Sequence, residues 1–212
     1  MKNPFFGGAR TNYHHGRLKD ALIEAARALV AERGPAGFTL AEAAKRVGVT
    51  GAAPYRHFAD RQALMNELAA RGFAQFAAAQ RLAWDGGKPD PATAFRRMGR
   101  AYLKFAQDEP GLYTAMFGVA DAAGVAANEG IANESFELLV GATWVLLRQY
   151  NAPGSDSIAL ARQIWAMSHG VATLAIAGHL AAAGGCDPAE LLDAGCSSLT
   201  EMTIRRALTP KS

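Results

Sequence analysis

Apolar residues recur at helical spacing in the stretch from Thr39 to Phe58, which reads TLAEAAKRVGVTGAAPYRHF. Its first apolar positions are three, one and three residues apart: Leu40, Ala43, Ala44 and Val47. This spacing predicts one face of a helix of about two and a half turns. Gly48 can end that helix because glycine tolerates left-handed backbone, and Thr50 can cap a second, short helix that ends near Phe58. Two short helices joined by a tight glycine turn form a helix-turn-helix, whose second helix enters the major groove in proteins that bind DNA.

An ordinary helical hairpin without a partner would have the same spacing. The residues of the second helix are therefore needed to distinguish such a hairpin from a DNA-binding motif. Tyr55 and Phe58 are three residues apart and are predicted to share a face, with Arg56 and His57 pointing elsewhere. A further surface is nearly free of side chains and can approach DNA closely: Gly51, Ala52 and Ala53. These features favour DNA binding over an unpartnered hairpin.

Helical periodicity continues along the rest of the chain, and no stretch has the alternation of a strand. Further helices are predicted over about Arg17–Arg33, Arg61–Trp84, Ala92–Gln107, Leu112–Phe117, Asn133–Tyr150, Ser155–Ala183 and Asp187–Leu208. Residues 1–12 and 118–130 lack a clear pattern and are predicted to be mobile. Gly72 lies in the middle of a long predicted helix and can allow a bend there. The fold class is therefore all-α with about nine helices, which agrees with abundant alanine and sparse β-branched residues.

Charge is distributed unevenly along the 212 residues. Residues 1–60 hold nine Lys/Arg and five Asp/Glu, a net charge of +4, whereas residues 61–212 carry a net charge of −1. A basic N-terminal segment on a nearly neutral remainder suits contact with a polyanion. We therefore predict two domains, a helix-turn-helix domain over residues 13–60 and a second helical domain over residues 61–212.

Several function classes find little support in the sequence. No apolar run approaches the roughly 18 to 20 residues that span a bilayer, and the N-terminus has no apolar signal core, so a cytoplasmic location is expected. We find no nucleophile–base set, no phosphate-binding glycine loop and no paired carboxylates on one helix face, so no catalytic residues are expected. Cys186 and Cys196 have no metal-ligand spacing, and neither a metal nor a cofactor is expected.

The run VGVTGAAPYRHFADRQAL resembles the signature of TetR-type (tetracycline-repressor-like) bacterial transcriptional regulators. The Tyr-Arg-His-Phe core, the following acidic-basic pair and then Ala-Leu carry this resemblance, which covers about Tyr13 to Phe73. It implies a homodimeric DNA-binding regulator with a three-helix N-terminal head and a C-terminal body that binds a small molecule. In this family the last two long helices pair with those of the partner, which here are the helices over about Ser155–Ala183 and Asp187–Leu208.

The resemblance also implies roles for residues of the head. Phosphate contacts are expected from the segment before and at the start of the first helix: Tyr13, His14, His15 and Arg17. The family pattern assigns further backbone contacts to Thr39, Thr50, Tyr55, His57 and Arg61. Arg56 is the best candidate for a guanine contact, and the small surface of Gly51, Ala52 and Ala53 can meet thymine methyl groups. Double-stranded operator DNA is therefore the expected macromolecular partner.

A second motif lies near the C-terminus, where Trp165, His169 and Gly170 resemble the W-x-x-x-H-G motif of one group of TetR-type C-terminal domains. Trp165 and His169 are four residues apart and share a helical face, where they can be a packed tryptophan beside a satisfied core histidine, or can line a ligand cavity or a dimer contact. Other large side chains in the body can likewise be core or cavity lining. The candidate ligand-binding residues are Phe73, Phe76, Phe95, Met98, Tyr102, Phe105, Tyr113, Met116, Phe117, Trp144, Trp165 and His169.

These observations predict a repressor that a small, largely apolar or aromatic molecule releases from its operator. A transcriptional activator, and a helical module that binds protein instead of DNA, are the alternatives. The long helix over Arg61–Trp84 is the only predicted element that reaches from the head to the candidate pocket, so its movement is the expected link between ligand and DNA.

Overall fold

The computed structural model describes residues 11–118, 122–152, 156–182 and 184–209, excluding the side chains of residues 11–16, 122–128, 131 and 182. In this part of the chain nine α-helices follow one another: α1 (Thr11–Arg33), α2 (Leu40–Val47), α3 (Arg61–Trp84), α4 (Pro91–Asp108), α5 (Pro110–Phe117), α6 (Ala122–Gln149), α7 (Ser157–Ile176), α8 (His179–Ala182) and α9 (Pro188–Leu208). Two 3-10 helices cover Ala53–Arg56 and Asp85–Gly87. No strand occurs within these ranges, and the predicted all-α class is confirmed.

Helix α2 begins and ends where the sequence predicts. The Thr39 hydroxyl accepts a hydrogen bond from the Glu42 backbone N–H (3.2 Å), and the Glu42 carboxylate accepts one from the Thr39 N–H (2.8 Å). This reciprocal capping box satisfies two backbone donors that the helix start leaves without partners. At the other end Gly48 adopts φ +81°, and its N–H bonds to the carbonyls of Ala44 and Lys45. Leu40, Ala43 and Ala44 are buried, so the predicted apolar face is confirmed.

The second helix of the motif is shorter than predicted and is a single 3-10 turn over Ala53–Arg56. The prediction that the Thr50 side chain caps it is wrong, because Ala52 holds the capping position and only the Thr50 carbonyl takes part, accepting from Ala53 N–H (3.0 Å). The prediction that Tyr55 and Phe58 share a face is also wrong. Phe58 is buried together with Pro54, whereas Tyr55 is 61% exposed. The N–H of Phe58 bonds to the Pro54 carbonyl (3.0 Å), which closes the turn over the apolar core.

Three other element boundaries differ from the sequence predictions. Helix α1 begins at Thr11, so residues 13–16 lie within it instead of preceding it, while residues 1–10 of the predicted arm lie outside the described residues. Residues 122–130, predicted as mobile, belong to α6, because alanine-rich sequence favours helix even with two glycines present. Residues 119–121 lie outside the described part. The helix predicted over Ser155–Ala183 is interrupted at Gly178, whose φ of +76° separates α7 from α8.

Helix α3 is one continuous helix of 24 residues. Gly72 does not break it. A Cβ at this position would lie 2.7 Å from Met116 Cγ, so the glycine lets α5 pack directly against α3. Helix α5 also contacts α1, because Arg27 Nε lies 2.9 Å from Glu109 Oε2 and Gly111 lies against the Arg27 carbonyl.

Two groups of buried apolar residues hold the helices together. The first joins α1 and α2 to α3, α4 and α5 and includes Leu22, Ile23, Leu64, Leu68 and Leu112. The second joins α3, α4, α6 and α7 and includes Phe95, Met98, Leu146, Leu160 and Ile164. Helix α9 touches both, because Leu192 belongs to the first group and Ile204 packs against the second. Among the described residues no helix is long and apolar enough to cross a membrane.

Candidate DNA-binding surface and ligand cavity

The 3-10 turn and the turn before it present an exposed surface of small and cationic groups. Tyr55 and Arg56 are exposed, as are Thr50, Gly51 and Ala52. Pro54 and Phe58 anchor this surface to the core from behind. Ala53 and His57 are only half-buried. An exposed Arg beside a nearly flat backbone can reach a base edge in a groove, and a phenol hydroxyl can reach a phosphate.

Two of the cations around the motif are already paired with carboxylates. Arg46 binds Glu32 through two hydrogen bonds, one of 2.9 Å, and Arg33 Nη1 lies 2.9 Å from Glu42 Oε1. The hydrogen bonds from Arg46 hold the pKa of Glu32 below its usual range. These pairs tie α1 to α2, so they orient the motif and leave less positive charge for DNA than the composition suggests.

Lys45 is a further cation near the motif that was not among the DNA-binding residues predicted from the sequence. It is exposed in the last turn of α2, away from the buried face, and makes no ion pair within the described residues. Arg56 likewise has no ion pair in this part of the chain. The helical spacing of Leu40, Ala43 and Ala44 already places Lys45 on the outer face, and this pattern can identify it from sequence.

Arg61, predicted to contact phosphate, has intramolecular partners. Its Nη1 donates a hydrogen bond to the Pro35 carbonyl, and its guanidinium lies 5.6 Å from the centre of the Phe38 ring. Arg61 therefore fixes the loop between α1 and α2 against the start of α3. Arg17 is exposed on α1. The side chains of Tyr13, His14 and His15 lie outside the described residues.

A cavity of about 1460 Å³ opens between α3, α4, α6, α7 and α9. This volume exceeds the 300 to 1,000 Å³ or so of ordinary ligand pockets. Seven of the predicted ligand-binding residues line it: Phe73, Phe76, Phe95, Met98, Tyr102, Phe117 and Trp165. Trp165 remains 44% exposed and packs against Phe136, with ring centres 5.8 Å apart. The wall is thus largely apolar and aromatic.

The other five predicted ligand-binding residues lie outside the cavity lining. Phe105, Tyr113 and Met116 are buried in the first apolar group. His169 contacts the Phe117 ring at 4.7 Å between ring centres. Trp144, predicted to face inward, is 47% exposed under the Arg148 guanidinium, 4.7 Å from its ring centre. A ligand in this cavity meets Tyr102 before it meets Tyr113 or His169.

A chain of three hydrogen-bonding side chains leads away from the cavity wall. The hydroxyls of Tyr102 and Tyr113 are 3.2 Å apart, and the Tyr113 hydroxyl lies 2.8 Å from His169 Nδ1. Burial raises the pKa of both tyrosines and lowers the pKa of His169, so all three are neutral near pH 7. The neutral imidazole can accept the Tyr113 proton at Nδ1, which leaves the Tyr102 hydroxyl as donor to Tyr113.

The polar lining residues that were not among the sequence candidates include Gln80, Ser135, Ser168 and Thr200. Gln80 is buried, with its amide 3.3 Å from the Met98 carbonyl. Ser168 and Thr200 bond to carbonyls of their own helices, Ile164 (2.8 Å) and Cys196 (2.8 Å). Polar residues on otherwise apolar helix faces are a pattern that can reveal such positions in sequence.

An exposed helix-turn-helix packed on a cavity-bearing helical bundle defines a DNA-binding transcriptional regulator. Two family models match the chain: "Bacterial regulatory proteins, tetR family" over residues 22–68 and "Tetracyclin repressor-like, C-terminal domain" over residues 95–199. The second match includes the Trp165, His169 and Gly170 motif. The chain belongs to the TetR family of transcriptional regulators.

Solved structures share the fold over nearly the whole chain. A Rhodococcus sp. RHA1 protein of unknown function is 28% identical, with a TM-score of 0.73, and the match covers 92% of this chain and 100% of that one. A TetR family transcriptional regulator, PfmR from Thermus thermophilus, is 18% identical, with a TM-score of 0.66 and coverage of 85% and 97%. A tetR-family regulatory protein from Rhodococcus RHA1 is 16% identical, with a TM-score of 0.69 and coverage of 88% and 97%. No curated protein matches the chain.

Proposed function

We propose that this regulator is a homodimeric repressor and that a small, largely apolar molecule releases it from its operator. The observation that carries the proposal is the cavity of about 1460 Å³, whose wall includes residues of the same helix α3 that packs against α1. Residues 13–60 act as the DNA-binding domain and residues 61–212 as the ligand-binding and dimerisation domain.

The exposed surface around the 3-10 turn supports the DNA-binding part of the proposal. Arg56 reads a base edge, and Tyr55, Thr39 and Thr50 position the motif on phosphates. Lys45 adds a phosphate contact from α2. Gly51, Ala52 and Ala53 have no side-chain hydrogen-bonding groups. We therefore expect few contacts to base edges, most of them from Arg56.

Two routes, and not α3 alone, connect the cavity to the DNA-binding helices. Phe73, Phe76 and Gln80 of α3 line the cavity, and Leu64 and Leu68 of the same helix belong to the buried group that includes α1. Helix α5 contributes Phe117 to the cavity wall and packs its other end on Arg27 of α1. A ligand that favours a different position of these helices changes the separation of the two DNA-binding motifs of a dimer.

Dimerisation through α7 and α9 is supported by small residues on their outward faces. Exposed or half-exposed positions include Gly170, Thr173, Ala194 and Ser198. Small side chains let two helices approach closely, and the twofold pairing of α7 and α9 with their mates forms a four-helix interface. The two 3-10 turns then face one rough palindrome, with half-sites one or more DNA turns apart.

Footprinting on the DNA upstream of its own gene, with and without a panel of apolar compounds, tests the proposal. We expect protection of a rough palindrome that an active compound abolishes, with a steep loss of affinity as salt rises. Because coupling is reciprocal, operator DNA must weaken the compound by the factor by which the compound weakens DNA.

Two results would contradict parts of this proposal. Salt-insensitive binding to mixed DNA, together with capture of a protein partner by the same surface, would favour a protein-binding module. Ligand-dependent gain of DNA binding and of transcription would identify an activator. A variant that narrows the cavity, Ala132→Phe on α6, is expected to bind DNA normally and to lose the response to the compound.

A further inference from the structure

The charges on the cavity wall differ from one end to the other. The end formed by Phe73, Phe76, Tyr102 and Phe117, here called the aromatic end, carries no ionisable group other than the neutral Tyr102. The opposite end is lined by three arginines, Arg96, Arg162 and Arg205, here called the arginine end. Along α4 the residues from Ala92 to Tyr102 line the wall over about 15 Å, at 1.5 Å per residue. The cavity is thus elongated and polarised.

The position of the arginine end follows from the packing. Phe95 and Ile164 belong to the second apolar group, and Ile204 packs against it. Each of the three arginines lies within two residues of one of them in sequence. The aromatic end belongs to the first apolar group, which extends to α1 and α2. The arginine end therefore lies on the side of the bundle away from the helix-turn-helix.

Two carboxylates also line the cavity, and both have cationic partners. Asp193 Oδ2 lies 3.0 Å from Arg100 Nη2, and Glu201 Oε2 lies 4.0 Å from Arg205 Nη2. Arg162 makes no ion pair within the described residues, and Arg96 makes none beyond the general attraction of Asp90, whose carboxylate caps α4. The charge left uncompensated at this end is therefore positive.

We propose that the effector is an elongated apolar acid, with its carboxylate at Arg162 and Arg96 and its apolar part directed toward the aromatic end. This rests on the proposed ligand-responsive function and specifies the chemical class of its ligand. A guanidinium at one end of an apolar cavity forms charge-assisted hydrogen bonds with a carboxylate, while the aromatic wall accepts the hydrocarbon. An amine of the same shape meets uncompensated positive charge and is excluded.

The test uses decanoic acid, methyl decanoate and decylamine as probes with alkyl chains of nearly equal length. Calorimetric titration of the full-length protein near neutral pH is expected to give at least about tenfold tighter binding of the acid than of the ester. The amine is expected to bind more weakly than either. Raising the salt concentration should weaken binding of the acid and leave the ester unchanged.

Matched arginine variants separate the charge from general packing. Arg162→Gln is expected to weaken decanoic acid about tenfold and to leave methyl decanoate unchanged, and Arg96→Gln is expected to act in the same direction. Arg206→Gln removes an equal charge from exposed α9 outside the cavity wall and is expected to change neither affinity. Circular dichroism checks that all three variants fold.

Equal affinities for acid and ester, an equal loss of both in Arg162→Gln, or no binding of decanoic acid would each overturn this proposal. The ligand-responsive function would survive those outcomes if any neutral apolar compound releases operator DNA. It fails only if no compound in the broad panel does so, which the footprinting experiment determines separately.

Discussion

Gly111 lies against the backbone of Arg27, so closely that a Cβ at position 111 would be 2.2 Å from the Arg27 carbonyl oxygen. This contact seats the start of α5 on α1, beside the ion pair of Arg27 and Glu109. At the other end of α5, Gly118 lies against Pro35 in the loop before α2, since a Cβ there would lie 3.3 Å from Pro35 Cβ. A glycine at each end of α5 therefore allows this helix to pack closely against α1 and the loop before α2.

Gly111→Ala is expected to destabilise the fold by about 1 to 3 kcal/mol or more, because a backbone atom cannot move aside as a flexible side chain can. Thermal or urea unfolding measures the change. Gly141→Ala is the matched control on α6, with nothing within 4 Å of the added Cβ, and is expected to stabilise the protein by about 0.5 to 1 kcal/mol. Equal stability of the two variants would contradict the close packing of α5 on α1.

Arg56→Ala is expected to cost about 1 to 3 kcal/mol of binding at one operator position and to relax the base preference there. Lys45→Gln is expected to weaken binding to all sequences alike and to lower the salt slope by about one. Affinities measured on single-base operator variants over a range of salt concentrations distinguish the two. A uniform loss in Arg56→Ala would assign this arginine to phosphate.

Tyr55→Ala is expected to weaken all DNA sites similarly without altering the fold, because Tyr55 is 61% exposed and can reach the backbone only through its hydroxyl. Tyr55→Phe keeps the ring and removes the hydroxyl, so it should lose most of the same affinity. Competition binding on the operator and on mixed DNA provides the comparison. A changed sequence preference with unchanged affinity would assign Tyr55 to base reading instead.

His169 is expected to make stability depend on pH. Burial lowers its pKa in the folded protein, whereas in the unfolded chain a histidine titrates near about 6.5. The unfolded state therefore binds more protons in the window below about pH 6.5, and stability must fall as the pH falls through that window.

The difference in melting temperature between about pH 7.5 and pH 5.5 measures this effect. His169→Asn keeps an acceptor for the Tyr113 hydroxyl and is expected to reduce the difference. His179→Asn changes an exposed histidine of α8 and should leave it as in the natural protein. An undiminished difference in His169→Asn would show that other groups cause the pH dependence.

Ser198→Arg on α9 is expected to convert the dimer to a monomer and to abolish operator binding, because a long cation cannot fit between closely packed small residues. Light scattering at micromolar concentration measures the mass. Gln107→Arg adds the same charge at an exposed position of α4, which is not part of the proposed interface, and this variant should remain dimeric. A natural protein that is monomeric yet binds its operator would contradict the proposed interface.

Local chemistry allowed much of the fold to be predicted. The spacing of Leu40, Ala43 and Ala44, with Gly48 after them, determines α2 because both the apolar face and the left-handed end are properties of a few consecutive residues. The resemblance of the following run identified the family, which the family models confirm. Boundaries were less accurate where alanine and glycine alternate, as before residue 131, because alanine favours helix without any apolar pattern.

The sequence by itself determined the helical class, the place of the helix-turn-helix and most of the large side chains that point inward, with Trp144 as an exception. Only the tertiary structure decided that Tyr55 faces out while Phe58 faces in, because the helix there is a single 3-10 turn that ends at Arg56, with Pro54 and Phe58 packed on the core. It also decided that Tyr102 lines the cavity whereas Tyr113, bonded to it, lies behind the wall. Helical periodicity tells which face of a helix points inward, but a packed core and a cavity wall both point inward. Whether an inward side chain is packed in the core or lines a cavity depends on the distance to the neighbouring helices. Residues far apart in sequence determine that distance.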